Sequence, residues 1–275
     1  MPRVWFVSAP IAPITLLAPI AAIGVVAVIG LTAGTARAQI VNVQGALARA
    51  PAEDGVTGQA ELKINWREGN NPLFDIGGAG NVVVRRGPVL GLALARGEYG
   101  TSRGLTLARK SFEHLRARVE LDCRWRWEAF AQHEDDQFKR LSLRALAGTG
   151  PALQIIDDKA ITLLAGAASL FEYERLDRRT GTLDAGARTT AHRASVYVTG
   201  HEDLSGGVAI VETVYAQPRL DDPGDLRLLG ELAAQSRLSS RIALRNSFNV
   251  AYDRTPPDGV KRYDTALEIS VLVTF

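Results

Sequence analysis

The residues best able to do chemistry are four histidines, His114, His133, His192 and His201, and a single cysteine, Cys123. One thiol excludes an intrachain disulfide and any C-x-x-C redox or zinc site. No pair of histidines has the H-x-x-x-H spacing of a helical metal site. His133 is followed by Glu134, Asp135 and Asp136, a run able to bind a divalent cation weakly, but one that reads more simply as a solvated acidic loop. Asp184 and His192 have no serine whose spacing identifies a nucleophile. Gly77-Gly78-Ala79-Gly80 lacks the Lys-Ser/Thr ending of a phosphate loop. No catalytic, metal or cofactor residue is assigned, and a non-enzyme is expected.

The charges are more informative. Arg116, Arg118, Arg124, Arg126, Arg140 and Arg144 recur at even positions over one stretch of chain. Glu172, Glu174, Glu212, Glu231 and Glu268 follow in later stretches. Facing walls of opposite sign would put a field across a water-filled passage and set its solute preference. The same groups can instead pair and fill the space, because charges buried without partners are very costly.

These side chains must be positioned by strands. Residues 115–122 alternate Leu115, Ala117, Val119 and Leu121 with Arg116, Arg118, Glu120 and Asp122, and the chain ends YDTALEISVLVTF with a strict period of two. Turn signals such as Arg86-Gly87-Pro88, Ser205-Gly206-Gly207 and Pro256-Pro257-Asp258-Gly259 separate about twelve such segments. Several exceed the roughly nine to eleven residues with which a tilted strand spans a bilayer. The expected fold is all-β: a single closed antiparallel transmembrane β-barrel over 57–275, with both termini periplasmic. Connections at 98–108 and 176–188 are expected to be the longest outer loops. Trp66, Tyr173, Tyr215, Tyr252 and Tyr263 fall near the expected outer strand ends, as an aromatic belt requires. Tyr263 and Phe275 also form an expected assembly signal on the last strand. A soluble β-sandwich or lipocalin-like barrel is the alternative, with the larger residues facing a core.

The start of the chain supports export. Arg3, an apolar run from Ile11 to Leu31, and Ala36-Arg37-Ala38 describe a signal peptide over 1–38, cleaved after Ala38. Its loss removes Arg3 and Arg37, so the formal charge of +2 falls to about zero. Nucleic acid is therefore not an expected partner. Residues 39–56 read as a mobile periplasmic tail. The expected location is the outer membrane of a Gram-negative bacterium. The expected partners are outer-membrane lipid, periplasmic chaperones and the barrel assembly machinery.

Trp66-Arg67-Glu68-Gly69-Asn70, Phe112-Glu113-His114, Gly148-Thr149-Gly150-Pro151 leading into Leu153-Gln154-Ile155-Ile156, Phe171-Glu172-Tyr173-Glu174, and the final Val273-Thr274-Phe275 carry a family resemblance. In this order the chain resembles the salt-induced outer membrane proteins, a bacterial family formally described as a domain of unknown function. The resemblance implies an outer-membrane barrel of about this size and a link to salt stress, and it transfers no catalytic residue. No His-x-Ser-Asn-Gly stretch of the outer-membrane phospholipase kind is present. Two functions stand: a narrow channel for ions or small polar solutes with a charge-segregated lumen, or a closed-lumen structural and interaction barrel acting through its outer loops. An outer-membrane hydrolase is a distant third.

Overall fold

The computed structural model describes residues 40, 42–47, 50, 51, 53–68, 73–103 and 105–275, apart from the side chains of residues 65–67, 107 and 108. The described residues belong to the second of two compact units, Ala33–Phe275, the first being Met1–Thr32. The signal peptide expected over 1–38 lies outside the described residues.

A one-turn helix, α1 (Gln44–Leu47), precedes twelve strands: β1 (Gly55–Arg67), β2 (Leu73–Arg86), β3 (Val89–Ser102), β4 (Leu105–Glu120), β5 (Trp125–Asp136), β6 (Leu141–Asp157), β7 (Ile161–Leu176), β8 (Arg188–Leu204), β9 (Val208–Pro218), β10 (Leu226–Arg237), β11 (Ile242–Asp253) and β12 (Tyr263–Thr274). Each strand pairs antiparallel with its sequence neighbours, and β12 returns to β1, closing a barrel. Closure removes free sheet edges, the condition for placing strands in lipid.

Period-two patterning sets which side chains face out. On β12, Tyr263, Thr265, Leu267, Ile269, Val271 and Val273 are exposed on the outer wall, while Glu268, Ser270 and Leu272 turn inward. Leu62, Ile64, Phe74, Ile76, Leu115, Val196, Val198, Leu232 and Phe248 continue the exposed apolar wall around the barrel. In water such a surface would be a severe liability; in a bilayer it is what the hydrocarbon requires.

Two rims result. At the terminal rim, which holds Phe275, short turns join the strands, and Gly206 and Gly207 supply positive φ angles of 82° and 76° there. At the loop rim, residues 177–187, 219–225 and 254–262 make longer connections. One expectation fails here. The 98–108 stretch is not a long loop: β3 runs to Ser102 and β4 starts at Leu105. Gly97, Gly100 and Ser102 look like loop formers in sequence, but neighbouring strands hold them in the ladder through Ser102↔Leu105.

The seam between β1 and β12 is short. Its ladder runs from Gln59↔Thr274 to Leu62↔Val271, followed toward the terminal rim by mutual backbone bonds between Gly58 and Phe275. Gly58 is required there, because a Cβ would stand 2.3 Å from the Phe275 ring.

The described residues 40–47 of the stretch expected to be a mobile tail pack in the barrel. Val43 is 1% exposed, and with Leu47 it lies against Val83, Leu90, Leu92, Leu94 and Phe112, the apolar part of the inner wall. Ile40 joins Ala152, Leu164, Tyr197, Tyr215 and Leu229. Burying Ile40, Val43 and Leu47 offsets part of the cost of ordering a segment that, read for composition, looks like a linker.

Candidate functional site: the barrel lumen

Inward-facing positions of β5 to β11 bring the lumen charges together. Glu172 on β7, 2% exposed, is the centre of the largest cluster. Its carboxylate accepts from Arg144 Nε at 2.7 Å and from Arg144 Nη2, from Arg193 Nε at 3.2 Å, and from Arg227 Nη1 at 2.8 Å. Arg227 also reaches Glu174 at 3.0 Å and Asp253 at 3.1 Å. Arg193 binds Asp225 at 2.9 Å, and Arg144 lies 3.5 Å from Glu134, which takes Lys139 at 2.9 Å. Strands β5, β6, β7, β8, β10 and β11 are thus tied together near the loop rim by one buried network.

A second cluster lies deeper, toward the terminal rim. Glu128 accepts from Arg116 at 2.9 Å, Arg118 at 2.6 Å and the Tyr197 hydroxyl at 2.9 Å. Arg118 donates to Gln44 Oε1 at 3.1 Å, which links the wall to α1. Gly166 leaves room for the Tyr197 ring, since a Cβ there would fall 2.3 Å from it. Beside α1 the remaining spaces are small. One, of about 20 Å³, lies between Ile40, His114, Arg116 and Tyr215, and another, of about 40 Å³, between Asn42, Gln59, Arg96 and Arg245. Each has room for one or a few waters.

The wall from β12 to β4 is looser. Lys63 stands 3.7 Å from Asp75, 3.9 Å from Glu98 and 3.8 Å from Glu268, while Lys110 binds Glu98 at 2.7 Å. Side chains here keep 13–28% of their exposure, against 1–5% at Arg144, Glu172 and Arg227. The loop-rim half of the lumen therefore has a dry, paired side and a wetter side.

Arg140 closes the dry side from above. It adopts φ 59° in the turn before β6 and is 1% exposed. Its guanidinium donates to Asp177 at 3.0 Å, to Thr182 Oγ1 at 2.8 Å, to the Asp258 carbonyl at 2.9 Å, and to Asp184. Asp184 also accepts the Asp258 backbone N–H at 2.8 Å. Burial raises the Asp184 pKa, but the Asp258 N–H and Arg140 outweigh it, so the carboxyl sits below the ordinary aspartate value.

The expected basic track and acidic wall map onto this lumen only in part. Arg116, Arg118, Arg126 and Arg144 face inward, but Arg116, Arg118 and Arg144 are bound to carboxylates and form no free positive wall. Arg124 is exposed in the terminal-rim turn, where its backbone N–H donates to Asp122, so it lines no wall. Arg140 belongs to the loop clamp just described. Glu172, Glu174, Glu231 and Glu268 are inward, Glu231 accepting from Arg245. Glu212 is not: β9 buries Ala209, Val211, Thr213, Tyr215 and Gln217, which puts Glu212 on the outer wall. Tyr215 is accordingly 4% exposed, its ring tilted against Tyr197 at 5.3 Å, and is no belt residue. Both parities of β9 are rich in apolar residues, so alternation there does not reveal which face is inside. Tyr173, Tyr252 and Tyr263 do face outward near the loop rim, with Tyr99 and Phe74 beside them, and Trp125, Trp127 and Phe275 face outward near the terminal rim. The side chain of Trp66 lies outside the described residues.

Glu128 is placed by its parity among the arginines, which it neutralises in part, whereas sequence spacing does not single out Arg193, Arg227, Tyr197 and Asp253. Their parity on β8, β10 and β11 was a usable signal; their partners, up to 69 residues away, were not. The His133 run is split by strand alternation. His133 contacts Glu113 at 2.5 Å on the outer wall, whereas Glu134 and Asp136 point inward. No group of three or more metal-ligating side chains occurs among the described residues. His192 does have a serine partner, Ser169 Oγ at 2.6 Å, with Phe171 stacked on the imidazole at 4.2 Å. No carboxylate is bonded to this histidine among the described residues, and the strand N–H groups beside Ser169 are spent in the ladder. The pair satisfies two polar groups on an apolar wall and builds no oxyanion site.

A closed barrel with a mainly apolar outer wall between two aromatic girdles, and with its charge clusters inside, is a transmembrane β-barrel. The model of the family described as "Protein of unknown function, DUF481" matches residues 60–275, and the chain belongs to that family. No curated protein matches the sequence. The structure is similar to a COG4313 outer membrane channel from Pseudomonas putida F1, at 10% identity and TM-score 0.49, covering 82% of this chain and 97% of that one. It is similar to the NanC porin at 11% identity and TM-score 0.47, covering 79% and 98%. It is similar to the translocator domain of the autotransporter NalP from Neisseria meningitidis at 12% identity and TM-score 0.44, covering 85% and 91%.

Proposed function

We propose that the protein is a narrow outer-membrane channel for ions or small polar solutes, shut in this state by its own N-terminal segment. The observation that carries this reading is the packing of Ile40, Val43, Gln44 and Leu47 inside the barrel. The path runs from the loop rim down the wetter side, past Lys63, Lys110, Asp75, Glu98 and Glu268, to the top of α1. Charges of both signs line it, which favours small ions over any large solute of one sign. The loop rim faces outward and the termini face the periplasm, following the rule of short inner turns and longer outer loops. The test is planar-bilayer conductance of the mature chain against a variant lacking residues 39–51. The expected result is rare small openings for the mature chain and steady steps for the deletion.

A second reading is a closed structural or interaction barrel working through its loops, in keeping with the salt-stress link of its resemblance. The dense, buried ion-pair network around Glu172 favours it. A folded, heat-modifiable deletion variant that stays silent would select it and reject the channel.

A further inference from the structure

The outer wall carries polar side chains where lipid tails belong. Glu212 lies in the middle of β9's outward row, between Ile210 and Val214. Two strands away, Asn246 lies between Leu244 and Phe248 on β11. Neither side chain has a hydrogen-bond or ion-pair partner among the described residues; the only charge noted near Glu212 is another carboxylate, Glu202. An ionisable group at this depth is expensive in lipid and marks a contact with something polar.

The register shows what that contact is. Glu212 is paired with Leu232, and Asn246 with Ala234, so both flank the same central strand, β10. Neighbouring strands are spaced about 4.8 Å and residues about 3.3 Å along a strand, which separates Glu212 and Asn246 by roughly 12 Å. Crossing two tilted strands raises the position by about as much as the two-residue offset lowers it, for a tilt of roughly 35–45°. The two polar groups therefore sit at nearly one membrane depth, side by side around the barrel.

We infer that this face is the interface with a second copy of the chain, related by a two-fold axis along the membrane normal. That axis keeps depth and exchanges left for right. It sets Glu212 opposite the partner's Asn246 and Asn246 opposite the partner's Glu212, two reciprocal amide-to-carboxyl hydrogen bonds in an isologous contact. On β10, Leu232, 46% exposed, lies beside the partner's Leu232 at one depth, the shallower Ala234 lies beside the partner's Ala234 at another, and Gly230 lets the walls approach. Lipid offers no donor to Glu212 at this depth, whereas a second copy offers one that is already placed. The inference rests on the membrane-spanning fold and not on conduction, so a silent barrel leaves it standing.

The test uses the full mature protein in bacterial outer membranes and in nanodiscs, with Cys123→Ser as background. Ala234→Cys is expected to cross-link into a species of about twice the monomer mass, while Ala95→Cys, on the opposite wall, is not. Particle mass in nanodiscs is expected to fall from dimer to monomer in the double variant Glu212→Leu, Asn246→Leu, with heat-modifiability retained. A monomeric background protein, equal cross-linking at positions 95 and 234, or a double variant that remains dimeric would overturn the inference. If the double variant fails to fold, the Ala234 and Ala95 comparison decides alone.

Discussion

The buried network near the loop rim predicts an asymmetry between its acids and its bases. Among the described residues, the ion pairs around Glu172 join six carboxylates, Glu134, Asp136, Glu172, Glu174, Asp225 and Asp253, to five cations, Lys139, Arg144, Arg193, Arg219 and Arg227. Arg227 alone serves Glu172, Glu174 and Asp253, and these have side-chain exposures of 2%, 13% and 3%. Arg227→Met therefore leaves Asp253 with no cation among the described residues, and takes one from Glu172, which keeps Arg144 and Arg193, and one from Glu174, which keeps Arg144 at 3.4 Å, in a region already rich in acid. Breaking a buried pair by removing one partner costs about 3–5 kcal/mol, and this case belongs at about 5. Glu172→Gln removes one negative charge from the excess, and its three arginines keep Glu174, Asp225 and Asp253. Its cost belongs at about 3 kcal/mol. Both are measured by urea unfolding in phospholipid vesicles, following tryptophan fluorescence and heat-shifted gel mobility, with linear extrapolation. A larger loss for Glu172→Gln than for Arg227→Met, or a loss below about 1 kcal/mol for Arg227→Met, would refute the reasoning; the latter is the size expected of a solvated surface pair.

Three further outcomes follow from the geometry. Gly58→Val should lower the yield of folded, heat-modifiable barrel at least as much as deleting Phe275, because the new side chain occupies the place of the Phe275 ring; normal assembly of both would contradict the seam described above. Within Lys63–Arg67, the amides that face β12 should exchange with deuterium faster than those that face β2, since the β1–β12 ladder ends at Leu62↔Val271 while the β1–β2 ladder runs on to Arg67; equal protection of both sets would count against that seam. The Asp184 carboxyl has a depressed pKa, so its contribution to the loop clamp is complete above the ordinary aspartate value of about 4 and is lost as pH falls through the depressed value. Asp184→Asn should remove the clamp at every pH, and trypsin should then cut after Arg178 or Arg179 at pH 8 roughly tenfold faster than in the parent, an increase in local opening.

What sequence reveals of this fold depends on how local each cause is. All twelve strands were legible, because lipid on one side and a lumen on the other impose alternation residue by residue. Where that contrast fades, so does legibility. On β9 both parities are apolar, and Glu212 and Tyr215 were assigned to each other's faces. At the start of β6, a register shift between Leu141 and Leu143 turns Leu141 inward, to 1% exposure, against its simple parity. The charges were located by parity, but not their pairing: Arg227 and Glu172 are 55 residues apart and meet only because the barrel closes. Residues 40–47 were hardest to read. They are too short to show a period, and the surfaces that hold them are assembled from β2 to β4 for Val43 and Leu47 and from β6 to β11 for Ile40.

The lumen is filled in two physically different ways, and the difference bears on function. The network around Glu172 belongs to the strands themselves. Opening it would strip several ions of their partners at once, so it behaves as wall. Among the described residues, the filling by α1 rests on Val43, Leu47, Ile40 and the Gln44–Arg118 hydrogen bond, all from the segment that leads through Pro51 into β1. Withdrawal of that segment exposes a few aliphatic side chains and one arginine that keeps Glu128 as its partner. It separates no buried ion pair. Four aliphatic or amide side chains at about 1.5–3 kcal/mol each set the upper limit of what holds it, before the entropy regained by a freed segment is subtracted. A barrel meant only to be solid has no need of so loosely held a filling beside so tightly held a wall. A passage that must open has, and the conductance of the deletion variant measures that difference directly.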